Sequence, residues 1–134
     1  MTPAFDRVDH LHVHVTDRVA AEAWYADVMG LGRMPELEHW SADGGPLTLT
    51  NPSGTVHVAL FERPAPSCGH PTIALAASPA EFTAWRRHLE QKLARPIGVE
   101  DHGLAWSLYF GDPDGNAWEI TCWQHALLAT MLQE

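Results

Sequence analysis

Gly111-Asp112-Pro113-Asp114-Gly115-Asn116-Ala117-Trp118-Glu119-Ile120-Thr121 reads as a tight turn running into a strand that carries one carboxylate. Pro113 presets a negative φ, Asp112 and Asp114 offer side-chain bonds to nearby backbone, and Gly115 supplies a positive φ. The strand alternates Ala117, Glu119 and Thr121 with Trp118, Ile120 and Cys122, so a small or polar face backs a large apolar one. Glu119 points away from that apolar face. In a sheet curled into a cup this direction is the interior, where an ionised carboxylate needs a partner, and a metal cation is the simplest one.

A weaker copy of the stretch precedes it. Asn51-Pro52-Ser53-Gly54-Thr55-Val56-His57-Val58-Ala59-Leu60 lies 61 positions earlier with Pro and Gly in register, which implies two copies of one supersecondary unit. In that register Val58 occupies the place of Glu119. The halves are then alike in structure and unequal in chemistry.

The chain of 134 residues is long enough to bury one sound core or two small modules sharing a sheet. Its formal charge is −9 with His neutral and contains no acidic run, which argues against nucleic acid or an anionic membrane as partner. No apolar run approaches the roughly 20 residues of a membrane helix, and the first residues lack a signal-peptide pattern, so a cytoplasmic location is expected. Cys68 and Cys122 have neither metal-finger nor redox-pair spacing and are expected to be reduced thiols.

In chain order, Val8 to Val15 alternates strictly, with Leu11, Val13 and Val15 on one face and His10, His12 and His14 on the other. Asp17 suits an N-cap for a helix through Met29, and Gly30 ends it. Extended segments are expected over Arg33–Trp40, Leu47–Thr50 and Thr55–Glu62, completing a βαβββ unit over about residues 5–63. The Pro- and Gly-rich residues from Arg63 to Pro71 read as a linker. A second unit over about 70–123 repeats the order: strand Thr72–Ala77, a capping box at Ser78-Pro79-Ala80-Glu81, and a helix with Phe82, Trp85, Leu89 and Leu93 at helical spacing. Strands over Ile97–Glu100, Trp106–Phe110 and Trp118–Trp123 follow. A terminal helix is expected over about 124–133, with Leu127, Leu128, Met131 and Leu132 available for a sheet edge or an oligomer contact.

Two βαβββ units, a first strand written Asp9-His10-Leu11-His12-Val13-His14, a helix carrying Trp24-Tyr25 before Val28-Met29-Gly30-Leu31-Gly32, and the closing Asp112 to Ile120 stretch together resemble the vicinal oxygen chelate superfamily. That group includes glyoxalase I, extradiol dioxygenases, fosfomycin-resistance thiol transferases and bleomycin-resistance binding proteins. The resemblance covers nearly the whole chain. It implies an α+β fold in which two tandem βαβββ modules within residues 1–134 form curved mixed sheets around a cup, in a homodimer.

By position the resemblance assigns a metal to His10 and Glu119, with a further His expected at the start of the second unit. There the sequence departs from the pattern: matching the helices puts that position at Thr72, whereas the 61-residue repeat puts it at Pro71. His70, beside the spot, is the candidate third ligand, and His12 is the nearest substitute. Two His and a carboxylate suit Fe(II) and also accept Mn, Ni or Zn. His14, His102 and Tyr109 are candidates for acid–base work. His12, Trp40 and Trp106 are candidates for substrate contact. Ser107 and Tyr109 alternate with Trp106 and Leu108, so one of these pairs faces inward.

Two functions follow from these residues. One is a small metal-dependent enzyme acting on a substrate with vicinal oxygens, dioxygenase-like ahead of lyase-like because Val58 offers no further carboxylate. The other is a metal-free protein that binds or sequesters an aromatic or antibiotic molecule, which the missing His at Thr72 favours.

Overall fold

The structure, a computed structural model, describes residues 2–5, 7–64 and 71–133. It divides into two compact units, Met1–Ser67 and Cys68–Glu134. Each holds one four-stranded mixed sheet and its own helices.

Unit 1 runs β1 (Leu11–Val15), α1 (Arg18–Met29), β2 (Gly32–Arg33), a 3-10 helix (Pro35–Ser41), β3 (Leu47–Thr50) and β4 (His57–Glu62). Its sheet has the order β1-β4-β3-β2, with β1 and β4 parallel and the other pairs antiparallel. Asp17 caps α1 by accepting from the Ala20 amide at 3.0 Å, and Gly30 ends it at φ 68°. Val13, Val15, Tyr25, Leu49, Val58 and Leu60 have no exposed surface and form the core. Each such side chain contributes about 1.5–3 kcal/mol through burial. His12, Thr48, Ala59 and Phe61 lie on the other face of the sheet.

Unit 2 repeats the plan with β5 (Ile73–Ala76), α2 (Pro79–Leu93), β6 (Glu100–Asp101), β7 (Trp106–Gly111), β8 (Ala117–Cys122) and α3 (His125–Met131). The sheet order is β5-β8-β7-β6, again with one parallel pair, β5 and β8. The Ser78 side chain accepts from the Glu81 amide at 3.3 Å and starts α2 as expected. Phe82, Leu89, Leu108, Trp118 and Leu128 are wholly buried. Cys122 is a buried, free thiol on this core face.

The expected strand over Arg33–Trp40 is not formed. Only Gly32 and Arg33 pair with β3, and Pro35–Ser41 is a 3-10 helix. Pro35 cannot donate to a sheet ladder and presets the φ of a first helical turn, while the residue before it, Met34, is held extended. The helix is tied down by Arg18, whose guanidinium donates to the carbonyls of Gly45 (2.8 Å) and Ser41 (3.1 Å). Gly45 is required by this approach, because a Cβ there would lie 2.1 Å from the Trp40 carbonyl oxygen.

The hairpins that precede β4 and β8 correct the repeat. Both turns place a glycine at positive φ, Gly54 at 71° and Gly115 at 85°. In unit 2 the Asp112 amide bonds to the Asn116 carbonyl, whereas in unit 1 the Asn51 amide reaches Val56, so the first turn is one residue longer. The 61-residue spacing therefore holds through β3 and β7 and becomes 60 along β4 and β8. Thr48 pairs with Ala59 as Tyr109 pairs with Glu119, so Ala59, not Val58, stands in the place of Glu119. Val58 is core, like Trp118. Ala59 also pairs with His12, and Glu119 with Ala74, which makes Thr72 rather than Pro71 the counterpart of His10.

The Asp112 turn fixes this register in unit 2. Asp112 Oδ1 accepts from the amides of Asp114 (3.0 Å) and Asn116 (2.7 Å), and Oδ2 accepts from Asn116 Nδ2 (2.7 Å), with both side chains buried. Asp112→Ala strands those donors and should cost about 3 kcal/mol in urea unfolding, against under about 1 kcal/mol for Pro113→Ala. In unit 1, Gly45→Ala should cost about 1–3 kcal/mol and shift the Trp40 emission, because backbone rather than a side-chain tip must move.

Candidate functional site

The polar face of each sheet carries one group of candidate residues. In unit 1 the strand alternation that buries Val13 and Val15 turns His12 and His14 to the opposite face, with His10 just before β1. His10 Nδ1 lies 2.8 Å from Asp9 Oδ2, and its Nε2 lies 2.9 Å from His12 Nε2. The two rings stack at 4.9 Å, and His12 packs on Phe61 at 4.6 Å. The bond from His10 holds the Asp9 carboxyl below its ordinary range, so the carboxylate accepts and Nδ1 carries the proton. In the neutral ring Nε2 of His10 is then an acceptor, and one proton or one cation between the two Nε2 atoms satisfies both rings. His14 lies edge-on to Phe61 at 6.2 Å.

Next to this pair is a cavity of about 240 Å³ whose lining includes His10, Leu37, Trp40, Thr48, His57 and Ala59. Trp40 thus meets His10 at one cavity, though from a 3-10 helix rather than a strand, and it remains 52 % exposed. His57 was not singled out by sequence reasoning. Its Nδ1 bonds the Asp9 carbonyl at 3.0 Å, and a carbonyl only accepts, so that nitrogen carries its proton. With β4 read one residue out of register, His57 fell on the wrong face.

In unit 2 the pair that shares a face with Glu119 is Ser107 and Tyr109. Ser107 Oγ donates to Glu119 Oε1 at 2.6 Å, Tyr109 OH donates to the same oxygen at 3.3 Å, and His102 Nε2 lies 3.0 Å from the Tyr109 hydroxyl. Burial is the main cause that pushes the Tyr109 hydroxyl above its ordinary pKa, which keeps it a donor. These side chains surround a cavity of about 290 Å³ rimmed by exposed Leu104 and Trp123. Trp106 is elsewhere: it lies on the core-side face, stacks on His125 of α3 at 4.8 Å and donates through Nε1 to the His125 carbonyl at 3.0 Å. Trp106 thus packs against α3, apart from the Glu119 cavity.

His70 lies outside the described residues. Among the described residues no group of three His, Cys, Asp or Glu side chains is arranged to hold a metal ion. What unit 1 does offer a cation is a pair of imidazole nitrogens with a carboxylate behind one of them, a usual outer-shell arrangement for a metal-bound His. The donor types fit a divalent transition metal, and the set is incomplete within either unit.

The family model of the glyoxalase/bleomycin resistance protein/dioxygenase superfamily matches residues 7–120. Among solved structures, a glyoxalase/bleomycin resistance protein/dioxygenase domain from Frankia superposes with a TM-score of 0.74 at 15 % identity, covering 92 % of this chain and 99 % of the other. A lactoylglutathione lyase from Agrobacterium tumefaciens gives 0.69 at 22 % identity, covering 90 % and 96 %. A genomically encoded fosfomycin resistance protein from Listeria monocytogenes, in complex with Mn(II) and a dihydroxypropylphosphonic acid, gives 0.63 at 13 % identity, covering 87 % and 90 %. At these identities the likeness is one of fold. No curated protein matches the chain.

Asp101 anchors α3 beside the second cavity. Its Oδ1 accepts from the Gly103 amide at 2.8 Å and pairs with His125 Nε2 at 2.6 Å. The Gly103 amide first, and His125 second, hold this carboxyl below its ordinary value of 3.8. A lowered folded-state pKa gives stability that is complete above the unfolded value and is lost as pH falls through the folded one. Asp101→Asn should therefore melt below wild type at neutral pH, with the gap closing in calorimetry as pH falls below the ordinary carboxylate value of 3.8.

Proposed function

Because the chain belongs to the glyoxalase/bleomycin resistance protein/dioxygenase superfamily, we propose that it is a metal-dependent enzyme acting on a small molecule with two adjacent oxygens. The observation that carries this reading is the 2.9 Å approach of His10 and His12 Nε2, with His10 Nδ1 bonded to Asp9. In the reading, His10 and His12 supply nitrogen donors and Glu119 supplies the carboxylate, with His70 as the alternative second imidazole. Such a set suits Fe(II), Mn(II), Ni(II) or Zn(II). A divalent metal held by them supplies Lewis acidity toward the negative charge that develops on substrate oxygens. Ala59, in the place of Glu119, offers no further carboxylate, which favours dioxygenase-like over lyase-like chemistry.

The remaining residues have definable tasks. Asp9 fixes the His10 tautomer so that the Nε2 lone pair is presented. Ser107 and Tyr109 both donate to Oε1 of Glu119, orienting the carboxylate and leaving Oε2 for a cation. Tyr109 and His102 form a hydrogen-bonded pair suited to holding or passing a proton at the phenolic oxygen. His14 retains the role of a nearby base. Small molecules are the partners in this reading, in a cytoplasmic homodimer to which exposed Leu127 offers apolar surface. It is supported by the net charge of −9, unfavourable for nucleic acid, and by the lack of any helix among the described residues able to cross a membrane.

Protein purified without chelator or a nickel column should contain near one transition metal per chain by elemental analysis. His12→Ala and Glu119→Gln should each lose it, and Asp9→Asn should weaken binding about 10–100-fold. Wild-type protein that holds no metal and gains no thermal stability from Fe(II), Mn(II), Ni(II) or Zn(II) would sink the reading.

A further inference from the structure

Thr48 is 6 % exposed, and among the described residues its hydroxyl has no hydrogen-bond partner. Its backbone carbonyl is used, by the Met34 amide at 3.0 Å, but its side chain faces the cavity of unit 1. The strand pairing gives the reason. Thr48 stands opposite Ala59 as Tyr109 stands opposite Glu119, and Tyr109 bonds that carboxylate while Thr48 faces only a methyl group. A buried hydroxyl is normally paired, so one without a partner among the described residues is available to a ligand in the cavity.

We propose that this cavity binds neutral, single-ring molecules that carry a hydroxyl group, with Thr48 selecting the oxygen and Trp40 covering the ring. Size sets the first limit. At about 240 Å³ the cavity exceeds the roughly 150 Å³ that admits benzene and falls short of the roughly 300 Å³ at which pockets for drug-sized ligands begin. One ring with one or two oxygens fits within it.

The lining sets the rest. Met34, Leu37, Trp40 and Pro46 make an apolar wall suited to a ring face. The polar side chains of the lining are Asp9, His10, Thr48 and His57. Asp9 and His10 are bonded to each other, the Thr48 hydroxyl is a donor in need of an acceptor, and the Nδ1 of His57 is occupied by the Asp9 carbonyl, so that its neutral ring offers Nε2 as acceptor. A hydroxyl can both accept and donate, whereas an ether or ketone oxygen only accepts. The ionised Asp9 at the rim, in a chain of formal charge −9, disfavours a carboxylate ligand. The inference depends on the enzyme reading only for its biological role, because binding itself needs no metal.

The test uses the full chain stripped of metal, with phenol, toluene and benzoate titrated separately and followed by amide and indole NMR shifts. Phenol should move the signals of Trp40, Thr48 and Ala59, and should bind about 5–10-fold more tightly than toluene, the worth of one hydrogen bond. Benzoate should bind more weakly than phenol. Thr48→Val should erase the preference for phenol over toluene, and Thr48→Ser should keep it. Without ligand, Thr48→Val should melt no lower than wild type. Equal binding of phenol and toluene, a preference that survives Thr48→Val, shifts that map elsewhere, or a lower melting point for Thr48→Val would each overturn the proposal. Failure of metal uptake leaves this result intact, and failure here leaves the metal titration intact.

Discussion

The turn closed by Asp112 and Asn116 is the constraint on which unit 2 depends. Side chains alternate along a strand with period two, so a slip of one residue in β8 would bury Glu119 and expose Trp118. Asp112 prevents the slip by binding its own turn through three donors, two of them backbone amides. Unit 1 solves the same problem with a neutral residue. Asn51 Oδ1 accepts from the amides of Thr55 and Val56, both at 2.9 Å, and Nδ2 donates to Ser53 and Thr55 hydroxyls across a turn one residue longer. Both strands leave their turns with the apolar face toward the core, and the parity is conserved by different means.

That single residue separates what the sequence makes legible from what it does not. Helix caps are local, so Asp17, Gly30 and Ser78 could be read directly, as could the alternation of β1 and β8. The two turns share Pro and Gly at a 61-residue spacing, and nothing in the letters marks the extra residue after Gly54. Only the hydrogen bonds to Val56 and Asn116 reveal it. The 3-10 helix is a different kind of miss. Pro35 at its start and Glu36 and Glu38 in its first turn were visible helix signals, overlooked because extended segments were expected after the first helix. Thr48 could not be singled out, because what it faces depends on the pairing of β3 with β4, and His57 is hidden by the one-residue shift in β4.

With the register corrected, the units differ in chemistry at matching positions, Ala59 against Glu119 above all. Glu119 organises unit 2: it draws in Ser107 and Tyr109, and through Tyr109 it connects to His102. Ala59 offers unit 1 no such anchor, so Thr48, in the place of Tyr109, has no side-chain partner among the described residues. The 3-10 helix roofs the cavity of unit 1, and Arg18 and Gly45 hold the roof. A Glu at 59 would face His12 across the parallel pair, so the small residue also leaves the imidazoles of β1 free to turn toward each other.

Their convergence needs a physical cause. Residues two apart on a strand have Cα atoms about 6.5–7 Å apart, yet the His10 and His12 Nε2 atoms lie 2.9 Å apart. Both rings must lean inward, and Phe61 supports the lean by packing on His12. Asp9 takes the proton-bearing Nδ1 of His10, which leaves a lone pair on Nε2 facing its neighbour. Two facing lone pairs at that distance repel, so the arrangement is stable only with a positive centre between them. In the neutral pair that centre is the proton on His12 Nε2, and a cation entering the same place must displace it and leave the His12 proton on Nδ1. A small turn of both rings would direct the two lone pairs at one metal instead of at each other, and the carboxylate of Asp9 would strengthen His10 as an electron donor in either state.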